Sequence, residues 1–266
     1  MIGGARTGLG VLADGMRMLR RERSLWPLAL TPALFASIAV CLAAAGVWAY
    51  ADWIQGMVAG WLPNVEAGAW YSWLWVGPLE LLLFLLRWLL FLFAAALAVA
   101  LAFLLANVAA APFLDRLSQR VEAIVRGVPP EGTDRPLWVE IRHTMSNELR
   151  RLLFFGGIWL GIAMIGLVPG VQILTPLLFA AFTVTFLPLE YSGCALDRRL
   201  IPFKTRRRWV RGNLPLMAGF GGGAFLTFLV PGLNFVMVPA LVVAGTLLVL
   251  RHGPAPEPAQ SEQNAA

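Results

Sequence analysis

The sequence is poor in charge: of its 266 residues, 14% are Asp, Glu, Lys or Arg, whereas 59% are hydrophobic. A soluble domain carries roughly 25% charged residues, and a globule of this length needs them to cover its surface. Lysine is nearly absent: the sequence contains 20 arginines and a single lysine, Lys204. The shortage of charge excludes a soluble domain, the abundance of apolar residues excludes a disordered chain, and together they predict a membrane protein.

Cysteine and histidine are also scarce, with two of each. Cys41 lies in an apolar run and Cys194 lies beside a basic segment, so the pair forms neither a disulfide framework nor a metal motif. His143 and His252 stand far apart, outside the apolar runs. The sequence contains no nucleotide-binding loop and no zinc-protease helix. These absences predict that the protein is not an enzyme and holds no metal or cofactor.

The apolar residues fall into four runs long enough to cross a hydrocarbon core of ~30 Å, which needs about 20 helical residues. Residues 24–51 and 78–113 predict two long transmembrane helices, the first capped by Ser24. Residues 152–189 and 215–250 are each broken in the middle by proline and glycine, and predict two helical hairpins. The predicted fold class is therefore an all-α integral membrane protein.

Shorter segments join these runs into one predicted membrane domain, residues 1–252. Apolar residues recur at helical spacing before the first span and after the second, which predicts amphipathic cytoplasmic helices with their arginines toward anionic lipid. The Pro/Ala-rich end of the chain predicts disorder. The segments are an amphipathic leader 5–23, an outer loop 52–77, amphipathic helices 114–151 with Gly127 ending the first of them, a basic cytoplasmic segment 190–214 and a cytoplasmic tail 253–266.

The distribution of basic residues predicts the orientation. Lys and Arg number five in residues 1–23, none in residues 52–77, seven in residues 115–151 and seven in residues 190–211. The positive-inside rule then places both termini in the cytoplasm, and the outer loop and hairpin tips on the other side. Because the charges flank apolar runs, membrane topology explains them better than nucleic-acid binding, so no nucleic-acid partner is expected.

The two hairpins are similar, as an internal repeat would be. LVPGVQILTPLL (167–178) and LVPGLNFVMVPAL (229–241) each place a Pro-Gly step at an apolar tip, after an arm of about 17 residues, ~25 Å long. Such arms are slightly short of a full crossing, so we expect partly penetrating hairpins whose turn backbone is sheltered by a polar cavity. Two ordinary transmembrane hairpins are the alternative. The tip residues expected to line a polar path are Pro169, Gly170, Gln172, Pro231, Gly232 and Asn234. For Gln172 and Asn234, capping of a broken turn is the alternative role.

Arginines at two places in the sequence are candidate anion-binding residues. Arg21 and Arg23 precede the first long helix, where free backbone amides attract anions; topology and lipid headgroups are their alternative roles. Arg87 lies inside the second span, where an ionised side chain signals function. Alternatively, Arg87 extends to the membrane surface or pairs with Glu80, seven residues away.

In the order of its elements the sequence resembles the CysZ family of bacterial sulfate permeases, within the etoposide-induced protein domain superfamily. The likeness runs through roughly residues 5–250. An alanine-proline-phenylalanine step before an amphipathic helix is among its more specific features. The likeness rests on GLGVLADGMRMLRRERSLWPLALTP (8–32), ANVAAAPFLDRLSQRVEAIVRG (106–127), LEYSGCALDRRLIPFKTRRR (189–208) and FGGGAFLTFLVPGLNFVMVPALVVAGT (220–246).

This resemblance implies an all-helical protein of the bacterial inner membrane, with hairpins that enter the membrane only partly, and homo-oligomers. It also implies proton-linked or channel-like sulfate uptake for cysteine biosynthesis. Members of the family hold sulfate at the start of the first long helix, which implies Ser24 and Leu25 as amide donors. Residues 24–27 lack the glycine and the arginines of the family pattern, and Pro27 has no amide hydrogen; the basic residues stand earlier in this sequence.

Two functions are compatible with these features. The first is a transporter or channel for a small inorganic anion, with sulfate as the first candidate. The anion would be held at Arg21, Arg23, Ser24 and Leu25, and would then pass the hairpin tips and Arg87. The second is a membrane structural or adaptor protein that transports nothing and shapes or scaffolds the bilayer through its hairpins.

Overall fold

The computed structural model describes residues 2–61, 73–127, 137–230 and 233–254. Within these ranges the chain is helical almost throughout and forms no strand. Several helices are long and apolar enough to cross a membrane, which confirms an all-α, multi-pass membrane protein. The candidate spans are Arg23–Ala49, Val76–Arg126, Leu149–Gly166 and Gln172–Tyr191.

The described helices form two compact units. The first unit comprises residues 1–30 and 112–266, and the second comprises residues 31–111. The helices are α1 (Ile2–Arg21), α2 (Trp26–Ala49), α3 (Ala51–Gly60), α4 (Trp73–Arg126), α5 (Leu137–Gly166), α6 (Thr175–Tyr191), α7 (Gly193–Arg198), α8 (Phe203–Gly212), α9 (Leu214–Phe228) and α10 (Leu233–His252), with 3₁₀ turns at Arg23–Leu25 and Gln172–Leu174.

Two of the differences between the observed helix bounds and the sequence-based expectation concern residues 52–126. Part of the expected outer loop forms α3, which carries Asp52 in its first turn, where a negative charge complements the helix dipole. The second span and the amphipathic segment after it are one helix, α4, whose 54 residues reach ~81 Å. Since that is far longer than the hydrocarbon core, a part of α4 lies outside it. Gly127 ends α4 with a φ of 74°, as predicted for a glycine that follows a helix.

Helix α10 is the core of the first unit. Its residues from Pro239 to Val249 are all buried, because α1, α6, α7 and α9 pack around it. A helix that is apolar on every side suits such a central position. Val11 and Leu12 of α1 are buried in the same cluster. The apolar face of the leader, which was expected to lie on the bilayer, is therefore partly covered by protein, although Leu9 on that face is 47% exposed.

Glycines allow three of these helices to approach backbone to backbone. A Cβ atom added to Gly219 of α9 would collide with the carbonyl oxygen of Ala5 in α1. A Cβ atom added to Gly221 would collide with the carbonyl oxygen of Val184 in α6. Small residues at such positions are typical of closely packed membrane helices. These contacts set how near α1 and α6 lie to α9.

The two hairpins occupy different environments in the first unit. Helices α5 and α6 are the expected arms of the first hairpin, and most side chains of their apolar spans are exposed or half-buried. The predicted break at Pro169-Gly170 is confirmed, since α5 ends at Gly166 and Gly170 has a φ of 87°. Helices α9 and α10 form the second hairpin and lie in the core. Its expected tip residues Pro231 and Gly232 lie outside the described residues, as does the side chain of Asn234.

Replacing Gly219 with alanine tests the close contact between α1 and α9. We expect Gly219→Ala to destabilise the protein by about 1–3 kcal/mol, because the added methyl group forces the two backbones apart. Gly222→Ala on the same helix is the matched control, since its nearest atom would be Val184 Cγ1 at 3.9 Å. Thermal unfolding of both variants in detergent measures the effect. Equal melting temperatures for the two variants would contradict the packing described here.

Candidate anion sites

The first candidate site lies at the turn between α1 and α2. Helix α1 ends at Arg21, Glu22 leaves the helical conformation, and the 3₁₀ turn Arg23–Leu25 leads into α2. The side chains of Arg21, Arg23 and Ser24 are exposed. In the part of the chain that the structure describes, neither arginine forms an ion pair. The turn therefore presents two guanidinium groups that are free of ion pairs among the described residues.

Buried and hydrogen-bonded groups fix the shape of this turn. The Leu25 side chain is wholly buried, and the Trp26 indole nitrogen donates to the Leu19 carbonyl oxygen at 2.9 Å. The Leu25 amide donates to the Glu22 carbonyl oxygen at 3.0 Å, so this expected ligand donor is engaged within the protein. Ser24, expected to cap the helix, lies inside the turn, because Glu22 occupies the capping position. Of the two expected amide donors, Ser24 is the one that remains for a ligand.

Arg87 lies on α4 in the second unit and is exposed. Glu80 is exposed as well, and no salt bridge joins the two among the described side chains. An exposed guanidinium group within a candidate span contacts lipid unless it extends to the membrane–water interface or binds another molecule. The ion pair with Glu80, one of the expected alternatives, is therefore not formed in this structure.

The tip of the first hairpin is exposed. Pro169, Gly170 and Gln172 are all accessible, and the neighbouring Ile173 side chain is 80% exposed. Gln172 opens the second 3₁₀ turn and does not cap it, because the capping position falls on Val171. An apolar tip that its own chain leaves uncovered fits contact with lipid better than contact with bulk water.

A second group of charges surrounds Glu122, near the end of α4. The carboxylate is almost fully buried, and three arginines contact it: Arg199 at 2.9 Å, Arg198 at 3.1 Å and Arg126 at 3.1 Å. We call these four side chains the Glu122 cage. Arg198 also contacts Asp115 at 2.5 Å. With Asp115 included, three guanidinium groups face two carboxylates, which leaves one net positive charge.

Two buried hydroxyl groups connect the cage to α10. Arg198 donates to Ser118 Oγ at 2.9 Å, and the Thr246 hydroxyl donates to the Val242 carbonyl oxygen at 2.8 Å. Because the Thr246 proton is used there, the Ser118 hydroxyl is the donor in the 2.8 Å bond between the two hydroxyl oxygens. The chain of bonds from Arg198 through Ser118 to Thr246 therefore has one direction, and it fixes α4 against the central helix.

The cage keeps its carboxylate ionised. Three guanidinium groups lie within 3.1 Å of its oxygens and favour the charged form over the neutral one. At neutral pH the cage therefore contains a bound anion, which is supplied by the protein itself.

The sequence-based interpretation missed these contacts because it treated the basic segment only as a signal of topology. Arg206 is buried, and it donates to the Ile201 carbonyl oxygen at 2.8 Å and to Asp197 at 2.6 Å. Arg207 lies over the ring of Phe154, 4.9 Å from its centroid. The acidic residues within and before the basic segment were the available signal, since buried arginines need such partners.

The helices and their exposed apolar spans define the class of this protein, a multi-pass α-helical membrane protein. A family model described as "Sulfate transporter CysZ/Etoposide-induced protein 2.4" matches residues 11–239. The chain belongs to this family, as its sequence resemblance indicated.

Individual relatives agree with the family match. The chain is 31% identical over 186 residues to "Sulfate transporter CysZ" of Pseudomonas paraeruginosa (strain DSM 24068 / PA7), covering 67% of this chain and 72% of the relative. It is 33% identical over 189 residues to the protein of that name from Pseudomonas fluorescens (strain Pf0-1), covering 67% and 76%. For the Pseudomonas aeruginosa PAO1 protein of that name, identity is 32% over 156 residues, covering 56% of this chain and 61% of the relative. The match with this last relative thus spans about three fifths of its length.

The reactivity of Cys194 tests the packing of α7 beside the cage. Burial, and then the nearby Asp115 carboxylate, raise the pKa of the Cys194 thiol to about 11. In a Cys41→Ala variant at pH 7.5, we expect maleimide to modify Cys194 roughly a hundredfold more slowly than a free thiol, because the thiolate is the reacting form. The rate should rise about tenfold per pH unit toward pH 11. Intact-protein mass spectrometry follows the reaction, and modification at the rate seen in denaturant would show that α7 is not packed as described.

Proposed function

We propose that the protein is a membrane transporter or channel for a small inorganic anion, with sulfate as the best candidate. The observation that carries this proposal is the turn between α1 and α2, where Arg21 and Arg23 are exposed without an acidic partner among the described residues. Elsewhere in the first unit, Arg198, Arg199 and Arg206 of the basic segment are paired with carboxylates. The names of the relatives support sulfate as the anion.

The turn has the chemistry that an oxyanion requires. A guanidinium group presents parallel N–H donors to the oxygens of a tetrahedral anion, and such charge-assisted bonds are stronger than neutral ones. Ser24 adds a hydroxyl group and a backbone amide at the start of a helix, where anions are favoured. The buried Leu25 side chain and the bond from Trp26 to Leu19 hold this constellation in place.

The proposed route continues past the hairpin tips. Helix α6 begins shortly after the first tip, so its positive N-terminal end faces that tip, as in the broken helices of transporters. The second unit contributes Arg87 as a separate proposed contact for the anion. The residues proposed to line the route are Pro169, Gly170, Gln172, Pro231, Gly232 and Asn234.

In the membrane we propose that α2 and α4 are the two long spans and that the two hairpins penetrate partly. Both termini face the cytoplasm of a bacterium, across its inner membrane, and the chain forms homo-oligomers. Anionic lipid binds at the cytoplasmic face, and the imported sulfate supplies cysteine biosynthesis. The clustering of Lys and Arg in residues 115–151 and 190–211, and their absence from residues 52–77, support this orientation.

The first hairpin favours the alternative of a structural or adaptor protein. Its arms expose large apolar side chains such as Leu153 and Leu177, at 69% and 66%. A hairpin exposed in this way can insert into one leaflet and shape the bilayer without conducting anything. Measured sulfate flux separates the two functions.

Uptake of radiolabelled sulfate into proteoliposomes tests the proposal. We expect the wild-type protein to accumulate sulfate above the level of empty vesicles. The double variant Arg21→Gln/Arg23→Gln should reduce uptake at low sulfate about tenfold or more, because each lost charge-assisted hydrogen bond is worth ~1.5 kcal/mol.

Arg6→Gln is the matched control, because Arg6 is an exposed arginine on α1 remote in sequence from the turn. This variant should transport sulfate as the wild type does. Wild-type uptake no greater than that of empty vesicles would refute transport and favour the adaptor function. Normal uptake by the double variant would refute the turn as the binding site.

A further inference from the structure

The Glu122 cage has the composition of an anion-binding site that is already occupied. Three guanidinium groups converge on one carboxylate, with oxygen–nitrogen distances of 2.9–3.1 Å. A carboxylate needs one arginine for a bidentate pair. The two additional arginines give the cage more N–H donors than the Glu122 oxygens can accept.

The arginines of the cage are accessible although the carboxylate is not. The Glu122 side chain is 6% exposed, whereas those of Arg198, Arg199 and Arg126 are 19%, 23% and 51% exposed. An anion in solution can therefore approach the guanidinium groups from outside without crossing the apolar core. The carboxylate is the most buried member of the cage, and Arg198, which donates to it, is connected to α10 through Ser118 and Thr246.

The charges of the cage favour a doubly charged occupant. With Glu122 as the ligand, the three arginines face Glu122 and Asp115, and one positive charge is left over. If Glu122 takes up a proton from solvent and a divalent anion takes its place, the three positive charges face that anion and Asp115, and their sum is zero. A monovalent anion in the same place would leave the excess unchanged.

We propose that the Glu122 cage is a second anion site, for a tetrahedral divalent oxyanion such as sulfate, in which the Glu122 carboxylate is an internal ligand that the anion replaces. The assignment of sulfate rests on the proposed function. The site is distinct from the turn between α1 and α2, and it lies on α4 and at the C-terminal end of α7.

Neutralising the internal ligand tests this site. In Glu122→Gln the cage loses its anion and keeps its three arginines, so the protein should melt at a lower temperature in chloride. Sulfate at matched ionic strength should then raise the melting temperature saturably, by on the order of 5 °C at saturation. Adding Arg199→Gln to this variant should abolish the sulfate effect. The measurement uses the Arg21→Gln/Arg23→Gln background, so that the turn does not contribute.

Asp197→Asn is the matched control, because it also removes the carboxylate partner of a buried arginine, Arg206. A single arginine cannot enclose an oxyanion, so this variant should respond equally to sulfate and chloride. If Glu122→Gln also responds equally to the two salts, or if Asp197→Asn shows the same sulfate effect, the cage is only a structural ion-pair cluster.

If Glu122→Gln does not fold, Glu122→Asp provides the same test. The Asp side chain is shorter than Glu by one methylene group, so its carboxylate cannot engage all three arginines. A smaller saturable sulfate effect is therefore expected, and the absence of this effect overturns the proposal.

Melting temperatures do not depend on flux. A sulfate effect without uptake would refute transport but not the site, and uptake without a sulfate effect would refute the site but not transport.

Discussion

The structure depends on one electrostatic constraint: an ionised side chain in a protein surrounded by lipid needs either an opposite charge or water. The basic residues of the first unit meet this constraint in different ways. The Glu122 cage and the pair of Arg206 with Asp197 satisfy it inside the protein. Arg21 and Arg23 have no such partner among the described residues. This difference separates arginines that hold the fold together from arginines that are available to an external anion.

Helix packing places those charges. Helix α10 is buried from Pro239 to Val249, and the contact of Gly219 with Ala5 places α1 close against α9. Because the end of α1 leads directly into the turn before α2, the seating of α1 positions Arg21, and the buried Leu25 side chain anchors the end of the turn. The hydroxyl bond between Ser118 and Thr246 fixes the cage to the same central helix. Both candidate sites therefore depend on one packed core, and not on the exposed first hairpin.

Local signals made part of this structure predictable from the sequence. Long apolar runs predict α2 and the spanning part of α4, and the Pro169-Gly170 step predicts the break in the first hairpin. The packing of α1 was not predictable, because an amphipathic pattern is the same whether its partner is lipid or protein. The cage was not predictable either, since Arg198 and Glu122 are 76 residues apart and their charges indicated only topology. The burial of α10 carries no periodic signal, because the helix is apolar all round.

The central claim is that the turn before α2 holds an external anion with two arginines that form no ion pair among the described residues. The anomalous scattering of selenate, the selenium analogue of sulfate, in crystals of the full chain tests this claim most directly. The account predicts a selenium peak whose oxygens lie ~3 Å from the guanidinium groups of Arg21 and Arg23 and from the Ser24 amide. Selenate bound elsewhere with none at this turn, or a turn whose arginines are paired with carboxylates, would contradict it.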